Sequence, residues 1–231
     1  MSAAYPPVAS GTHPPNDSPA YRSSGLRAPR EAAIALPPGH AEATGPAFGV
    51  ERLRPNAADL TRQIAGGEAQ GQRILVHGRV TDEVGRPERH ALIEVWQANA
   101  AGRYRHAHDH HDAPLDPYFI GAGQVVTDAE GYYQFLTIEP GAYPWGNHHN
   151  AWRPRHIHFS LFGPAWASRL VTQMYFEGDP LLPLDPIYLS VPEAARPRLV
   201  APLDLSATRP GVALAWRFDL VLRGPRATPF E

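Results

Sequence analysis

The density of proline and glycine is the sequence feature that most limits what this chain can fold into. The 231 residues include 26 prolines and 20 glycines. Proline interrupts helices and central strands, and glycine weakens helix interiors, so this composition favours many short strands and turns over long helices. A hydrophobic fraction of 43% is sufficient for a buried core. We therefore expect a mostly β protein.

Seven short apolar stretches predict the strands. They are separated by turn-forming residues, and the run Asp128-Ala129-Glu130-Gly131 between two of them is typical of a hairpin. Strands this short and this regularly spaced predict a β-sandwich or a β-barrel. The predicted strands span residues 73–81, 91–97, 123–127, 132–138, 156–162, 169–176 and 214–222.

The segment before these strands has a different composition. Residues 1–48 are rich in proline, alanine, serine and glycine, with the pairs Pro6-Pro7, Pro14-Pro15 and Pro37-Pro38. Such a composition predicts an extended arm, and a short helix is expected near residues 56–64. We divide the chain into an arm and linker, residues 1–70, and a main β domain, residues 71–231.

Composition also excludes several classes of protein. The formal net charge of −2 argues against a nucleic-acid binder that depends on phosphate contacts. The absence of cysteine excludes disulfides, zinc–thiolate sites and cysteine nucleophiles. The first thirty residues contain no apolar segment of the length that a signal peptide needs, and no run approaches a membrane span, so we expect a cytoplasmic protein with no membrane partner.

His156 and His158 are the first candidate site residues. They lie two apart in the predicted strand 156–162, so both imidazoles project from one face and form half of a metal site. Taken alone, such a pair is more often two ordinary core or surface histidines. Tyr104 and Tyr143 lie in two long loops, residues 98–121 and 139–154, from which phenols can complete the set.

A set of two imidazoles and two phenols suits a ferric ion. An unperturbed phenol has a pKa near ~10, so it becomes a ligand only where an acidic metal removes its proton. Two phenolates and one hydroxide balance a trivalent ion, and two neutral imidazoles complete five-coordination. A catechol dianion that displaces the hydroxide and one phenolate keeps the net charge at zero, which avoids uncompensated buried charge.

Several motifs occur in a family-like order and spacing. They are Glu94-Val95-Trp96-Gln97-Ala98-Asn99, Gly102-Arg103-Tyr104-Arg105-His106, Ala113-Pro114-Leu115-Asp116-Pro117, Pro140-Gly141-Ala142-Tyr143-Pro144-Trp145, Trp152-Arg153-Pro154-Arg155-His156-Ile157-His158-Phe159 and Thr172-Gln173-Met174-Tyr175-Phe176-Glu177-Gly178-Asp179-Pro180. With them the chain resembles the intradiol ring-cleavage dioxygenases, most closely the iron-binding β subunits of the protocatechuate 3,4-dioxygenase group. The resemblance runs from about residue 21 to residue 230.

This resemblance implies a site and roles for its residues. A non-haem Fe(3+) ion would be held by Tyr104, Tyr143, His156 and His158, and Tyr143 would leave when a catechol chelates. Arg153 would stabilise negative charge on the substrate ring, and Gln173 would orient that arginine or the substrate. The implied substrate contacts are Tyr21 at the substrate carboxylate, with walls formed by Trp96, Trp145, Trp152 and Ile187.

The resemblance also implies an activity, a fold and a partner. The reaction would be cleavage of protocatechuate (3,4-dihydroxybenzoate) with dioxygen to 3-carboxy-cis,cis-muconate. The fold would be a prealbumin-like β-sandwich with long active-site loops and an extended N-terminal arm, and the assembly a hetero-oligomer with a homologous α subunit.

Two other functions stay open. One is intradiol cleavage of another catechol, such as catechol itself or hydroxyquinol. The other is a non-catalytic prealbumin-like binding module, which has the same strand and turn pattern without a metal and no reason to keep His156, His158 and Tyr104. The histidine-rich run 106–111 and the pair His148-His149 are interpreted as polar loops, and we do not assign a second metal site to them.

Overall fold

The structure is a computed structural model that describes residues 9–31, 53–147, 149, 152–162 and 169–230. Those ranges contain two short α-helices, α1 (Ser24–Arg27) and α2 (Pro186–Ser190), and 3-10 helices at Leu60–Arg62, Leu182–Leu184 and Glu193–Leu199. The strands are β1 (Arg73–Thr81), β2 (Leu92–Trp96), β3 (Ala122–Val126), β4 (Tyr132–Ile138), β5 (Tyr143–Pro144), β6 (Trp152–Arg153), β7 (His156–Phe162), β8 (Arg169–Phe176), β9 (Val200–Ala201), β10 (Leu214–Arg217) and β11 (Leu220–Val221).

Two main sheets are formed by these strands. In the first sheet, β1 pairs antiparallel with β4 and in parallel with β10 and β11. The second sheet has the order β3-β2-β7-β8-β9, and β5 with β6 forms a separate two-stranded ribbon. Six of the seven predicted strands appear within one residue at each end.

The core lies between the two sheets. The buried ring of Phe159 on β7 contacts Tyr133 and Phe135 on β4, with ring centroids 6.0 and 5.9 Å apart, and Phe218 at 5.1 Å. Apolar side chains of both sheets belong to this one buried cluster. The two faces therefore bury each other, and the predicted β-sandwich is confirmed.

The seventh predicted strand, residues 214–222, is interrupted, so that prediction was wrong in detail. Gly78 on β1 is the cause, because a Cβ at this position would lie 1.9 Å from the carbonyl oxygen of Phe218. That close approach lets the hydroxyl of Tyr133, opposite Gly78 on β4, donate to the Phe218 carbonyl at 2.5 Å. The pairing of β1 with this segment therefore stops after Arg217 and resumes at Leu220.

The segment that leads into β1 packs on the sandwich. The helix expected near residues 56–64 is a single 3-10 turn, Leu60–Arg62, whose first N–H groups are capped by Asp59 through a 2.9 Å bond from the Thr61 N–H. Leu60 and Ala69 are buried in the main core. The division of the chain at residue 70 stays a prediction.

Only part of the predicted arm is described. Pro6-Pro7 and Pro37-Pro38 lie outside the described residues, whereas Pro14-Pro15 lies within them. Next to that pair, His13 stacks on Phe230 near the other end of the chain, with ring centroids 4.4 Å apart. In the described ranges we find no helix with the length and apolar character needed to cross a membrane.

Candidate active site

Strand β7 places the two histidines of the candidate site. His156 and His158 project from the outer face of the second sheet, while Ile157 and Phe159 between and after them enter the core. The two imidazole centroids are 4.9 Å apart. In the neighbouring strands, Trp96 on β2 pairs with His158, and its ring stacks on that imidazole at 4.7 Å.

Tyr104 and Tyr143 belong to the two long loops, and the backbones of these loops pack against each other. Gly102 has φ +78°, and a Cβ there would lie 2.1 Å from the carbonyl oxygen of Ala142. This close contact, which only glycine permits, sets Tyr104 beside Tyr143. The backbone N–H of Tyr104 donates to Asp109 at 2.7 Å, and this bond fixes the loop that carries the ring.

Four aromatic rings thus surround one point. The ring centroids are 5.3 Å apart for Tyr104 and Tyr143, 5.5 Å for Tyr143 and His156, and 6.3 Å for Tyr104 and His158. The hydroxyl of Tyr143 lies 3.4 Å from Nε2 of His156. The structure therefore brings together all four residues that sequence analysis named as metal ligands.

The protonation of these groups fits a metal site. Nδ1 of His156 lies 2.7 Å from the carbonyl oxygen of Pro154, which only accepts, so Nδ1 carries the proton and Nε2 faces Tyr143 as a lone-pair donor. Burial, with Arg153 and His158 nearby, holds the pKa of His156 well below its usual value, so this imidazole is neutral.

The pKa of the Tyr143 phenol is shifted in the opposite direction to that of His156. Burial raises its pKa, and the charge of Arg153 opposes that shift only in part. The phenol is therefore deprotonated only where a strong cation compensates for its charge. His156 and His158 supply two nitrogen donors, and Tyr104 and Tyr143 supply two phenol oxygens, a donor set that fits the hard trivalent ion Fe(3+).

A buried cation adjoins this set. Arg153, on β6, is 2% exposed and faces Tyr143 across the β5–β6 pair. Its Nη1 lies 3.4 Å from Nε2 of His156, and Nη2 donates to Oε1 of Gln173 at 2.6 Å. The guanidinium also lies 5.3 Å from the centre of the Trp145 ring. A permanent positive charge is thus fixed next to the four donors.

A cavity of about 160 Å³ opens beside these groups. It is lined by Tyr21, Tyr143, Trp145, Arg153, His158, Gln173 and Ile187. Past Tyr143, Trp145 and His158 it meets a wider cavity of about 690 Å³, whose wall includes Trp96, Tyr104 and the histidine-rich loop. A path from solvent to the four donors therefore passes the loop of residues 106–112.

Trp152 does not lie where sequence analysis expected it. It is 46% exposed, lines neither of these two cavities, and contacts His111 with ring centroids 6.2 Å apart. Trp152 and Arg153 are consecutive residues of β6, so their side chains point to opposite faces. Because Arg153 points into the site, Trp152 points away from it, and the structure does not bring this predicted wall residue to either cavity.

Two residues of the site were missed by sequence analysis. Tyr175 and Asp185, both 0% exposed, hydrogen-bond the guanidinium of Arg153. Tyr175 had a usable signal, since it lies two residues after Gln173 on one strand and therefore on the same face. For Asp185 the sequence offered only a local signal, because an aspartate before Pro186 is typical of a helix start and does not indicate contact with Arg153.

The other histidines among the described residues lie outside this group of donors. Asp109 accepts from the backbone of both Tyr104 and His111, so the loop of residues 106–112 orders Tyr104. Across the described part of the chain, no group of three or more histidine, aspartate or glutamate side chains is arranged to hold a metal ion. His148 lies outside the described residues, and His149 is exposed.

Comparison with known families and proteins gives consistent matches. The profile described as Dioxygenase matches residues 43–224, and that described as Protocatechuate 3,4-dioxygenase beta subunit N terminal matches residues 5–39. The chain is 58% identical over 221 residues to the Protocatechuate 3,4-dioxygenase beta chain of Burkholderia cepacia, covering 95% of this chain and 94% of that one.

More distant relatives match a smaller share of the chain. Catechol 1,2-dioxygenase 2 of Acinetobacter lwoffii is 34% identical over 136 residues, which cover 54% of this chain and 47% of that one. The crystal structure of 3-chlorocatechol 1,2-dioxygenase from Rhodococcus opacus 1CP superposes with a TM-score of 0.56 at 23% identity, covering 79% of this chain and 75% of that one. At that identity the likeness concerns the fold alone.

Proposed function

Because this chain belongs to the intradiol ring-cleavage dioxygenase family, we propose that it cleaves protocatechuate with dioxygen to 3-carboxy-cis,cis-muconate. The observation that carries the proposal is the set of two imidazoles and two phenols around one point, beside a buried arginine. The substrate is supported by the 58% identity to a protocatechuate 3,4-dioxygenase beta chain over nearly the whole length.

We propose that Tyr104, Tyr143, His156 and His158 hold a non-haem Fe(3+) ion. The chemistry that this ion supplies when bound is Lewis acidity toward the catechol hydroxyls and withdrawal of electron density from the ring, which opens the ring to dioxygen. The neutral Nε2 of His156 and the raised pKa of Tyr143 support the assignment, because a neutral imidazole offers its lone pair to a cation and a buried phenol loses its proton only when a cation compensates for the charge.

The residues of the chain then have separate tasks. Oη of Tyr143 takes one of the two catechol protons, since burial favours its neutral phenol once it no longer binds a cation. Arg153 stabilises negative charge that develops on the substrate ring, because its guanidinium is charged at any working pH and already fixed in place. Gln173 keeps that guanidinium in position through its 2.6 Å hydrogen bond.

The cavity walls bind and orient the ring. Trp145 and Ile187 supply apolar surface that excludes water, and Tyr21, with its ring 5.2 Å from that of Trp145, contacts the substrate carboxylate. A cavity near ~150 Å³ is enough for a benzene-sized molecule. The inner cavity of about 160 Å³ therefore suits one substituted ring.

We also infer a partner, a homologous α subunit in a hetero-oligomer. The support is the match of residues 5–39 to the N-terminal profile of protocatechuate 3,4-dioxygenase β subunits, together with the beta-chain relative. The proline-rich arm, residues 1–48 of the arm and linker, would wrap that partner. An alternative substrate, catechol or hydroxyquinol, is favoured by relatives at 33–35% identity that bear those names, over smaller shares of the chain.

The proposal is tested on the chain co-produced with its α subunit and loaded with iron. We expect a visible ferric–phenolate absorption band, a shift of that band on anaerobic addition of protocatechuate, and one carboxymuconate per dioxygen consumed on admission of air. Tyr104→Phe and His158→Ala should each lower iron content and colour. Tyr132→Phe, a tyrosine whose ring packs near His77, is the matched control and should leave both unchanged.

Two outcomes would contradict the proposal. A colourless protein with a full complement of iron would show that no phenolate binds the metal. Iron content and turnover that survive both ligand substitutions would show that other residues hold it. A product other than the carboxymuconate, from a coloured protein that prefers catechol, would favour the alternative substrate.

A further inference from the structure

A fully buried carboxylate lies behind the active site, and the mechanism above gives it no task. Asp185 is 0% exposed and precedes α2. Oδ1 accepts from Nε of Arg153 at 3.0 Å, and Oδ2 accepts from Nη2 at 2.9 Å. This is a bidentate pair, which fixes both the position and the plane of the guanidinium.

The pair belongs to a closed network. The hydroxyl of Tyr175 lies 3.1 Å from Nη2 of Arg153, 2.9 Å from Oδ2 of Asp185 and 3.0 Å from Oε1 of Gln173. Nε and Nη2 of the guanidinium are therefore engaged by Asp185, Tyr175 and Gln173. Nη1 is the nitrogen directed toward the metal-ligand residues, 3.4 Å from Nε2 of His156.

The same carboxylate also shapes the cavity wall. Oδ2 of Asp185 accepts from the backbone N–H of Tyr188 at 3.2 Å and so caps the first turn of α2. That turn carries Ile187, which lines the inner cavity. One side chain thus ties the orientation of the arginine to the position of an apolar wall.

The negative charge of Asp185 stabilises the buried guanidinium of Arg153. A buried guanidinium without a counter-ion is costly, and a partner that is charged and bidentate removes that cost while it fixes the geometry. Among the described residues, Asp185 is the acidic side chain paired with Arg153, and the other two groups bonded to Nη2, Gln173 and Tyr175, are formally neutral. Without that charge the guanidinium would gain by turning toward the cavity and its solvent.

We propose that Asp185 is a positioning residue for ring cleavage, which holds the Arg153 guanidinium with Nη1 toward the substrate and the metal-ligand side chains. The inference rests on the proposed function, since the charge to be stabilised arises on a substrate bound at that site. Asp185 acts through Arg153 and does not touch the substrate.

The test is Asp185→Asn in the holoenzyme. Asparagine is nearly isosteric and caps a helix as well as aspartate does, so the substitution removes the charge and one of the two oxygens that accept from Arg153, while the remaining oxygen can still cap α2. We expect unchanged iron content and visible absorption, a KM for protocatechuate within about threefold of wild type, and a kcat at least roughly tenfold lower. Crystal structures of the iron-free proteins should show the guanidinium moved away from His156 in the variant only.

Asp179→Asn is the matched control. Asp179 is also buried, accepts from Nε of Arg155 at 2.9 Å, and caps a turn through the Leu181 N–H at 2.9 Å. Arg155 lines neither the inner nor the wider cavity of the site. We expect Asp179→Asn to lower the melting temperature with kcat within about twofold of wild type, because Arg155 keeps a second carboxylate partner, Glu139, and lies outside both cavities.

The outcomes separate this inference from the proposed function. The inference is overturned if Asp185→Asn holds iron and keeps kcat within about twofold with the guanidinium in place, or if it loses iron together with activity. If the variant does not fold, Asp185→Glu replaces it, because one added methylene shifts the carboxylate relative to Arg153 while the charge stays, and an unchanged kcat there overturns the inference. Wild-type protein inactive on protocatechuate refutes the proposed function, whereas the iron-free structures still decide whether Asp185 positions Arg153.

Discussion

At the scale of single residues, three side chains of the candidate site are each held by a neighbouring group outside the proposed set of metal ligands and substrate contacts. The Pro154 carbonyl fixes the tautomer of His156, Asp109 fixes the backbone of Tyr104, and Asp185 fixes Arg153. Such supports keep the donors in place before a ligand arrives, so less free energy is lost to ordering on binding.

Tyr21 provides a prediction at this scale. Tyr21→Phe removes a hydroxyl from the cavity wall and keeps the ring against Trp145. Loss of one hydrogen bond to a charged carboxylate should raise the KM for protocatechuate about tenfold. Steady-state kinetics with catechol, which has no carboxylate, is the control and should show no change. Equal changes in the KM for both substrates would mean that Tyr21 does not bind the carboxylate.

At the scale of elements, the centre of β1 shows how a missing side chain shapes a sheet. Gly78 permits the Phe218 carbonyl to approach, and the hydroxyl of Tyr133 crosses over the glycine to reach it. The hydrogen bond therefore joins β4 to the segment between β10 and β11, on the other side of β1. This contact links strands that are not neighbours in the sheet.

Gly78→Ala should accordingly destabilise the sandwich. The added methyl group would overlap the Phe218 carbonyl, which is backbone and cannot turn aside. We expect the free energy of unfolding to fall by roughly 2 kcal/mol or more, measured by urea titration. Gly25→Ala is the control, because a Cβ there meets Asp17 at an ordinary 3.6 Å. Equal stability of the two variants would contradict this account.

At the scale of the whole molecule, the active site and the core lie on opposite faces of one sheet. His156 and His158 on β7, with Gln173 and Tyr175 on β8, occupy the outer face under the long loops and α2. The alternate residues of the same strands fill the sandwich core. Substitutions in the core and in the site therefore act on different properties, stability and catalysis respectively.

The core tyrosine predicts how stability depends on alkaline pH. Burial raises the pKa of Tyr133 well above its usual value, so above pH ~10 an unfolded chain loses this proton while the folded chain keeps it. The free energy of unfolding should therefore be unaffected by this group below pH ~10 and should fall as the pH rises further. Urea titrations of iron-free protein at several pH values measure this decline.

Tyr133→Phe tests the assignment. The variant lacks the titrating hydroxyl, so its stability should decline less steeply with alkaline pH, although it is lower at neutral pH because the Phe218 carbonyl loses its donor. The other tyrosines with raised pKa, Tyr132, Tyr143 and Tyr188, are present in both proteins and cancel in the comparison. Parallel curves would show that Tyr133 does not govern the alkaline transition.

The sequence by itself determined the features that depend on neighbouring residues. The spacing of His156 and His158 determined that both face one way, the turn residues determined most strand ends, and the order of motifs identified the family. Only the tertiary structure decided which distant residues meet. Asp185 hydrogen-bonds Arg153, which lies 32 positions earlier in the chain. Gly102 lets the loop of residues 98–121 pack against the loop of residues 139–154, and the strand predicted at residues 214–222 is interrupted at Phe218. Side-chain periodicity is a local property of the backbone, whereas such contacts depend on the path of the whole chain.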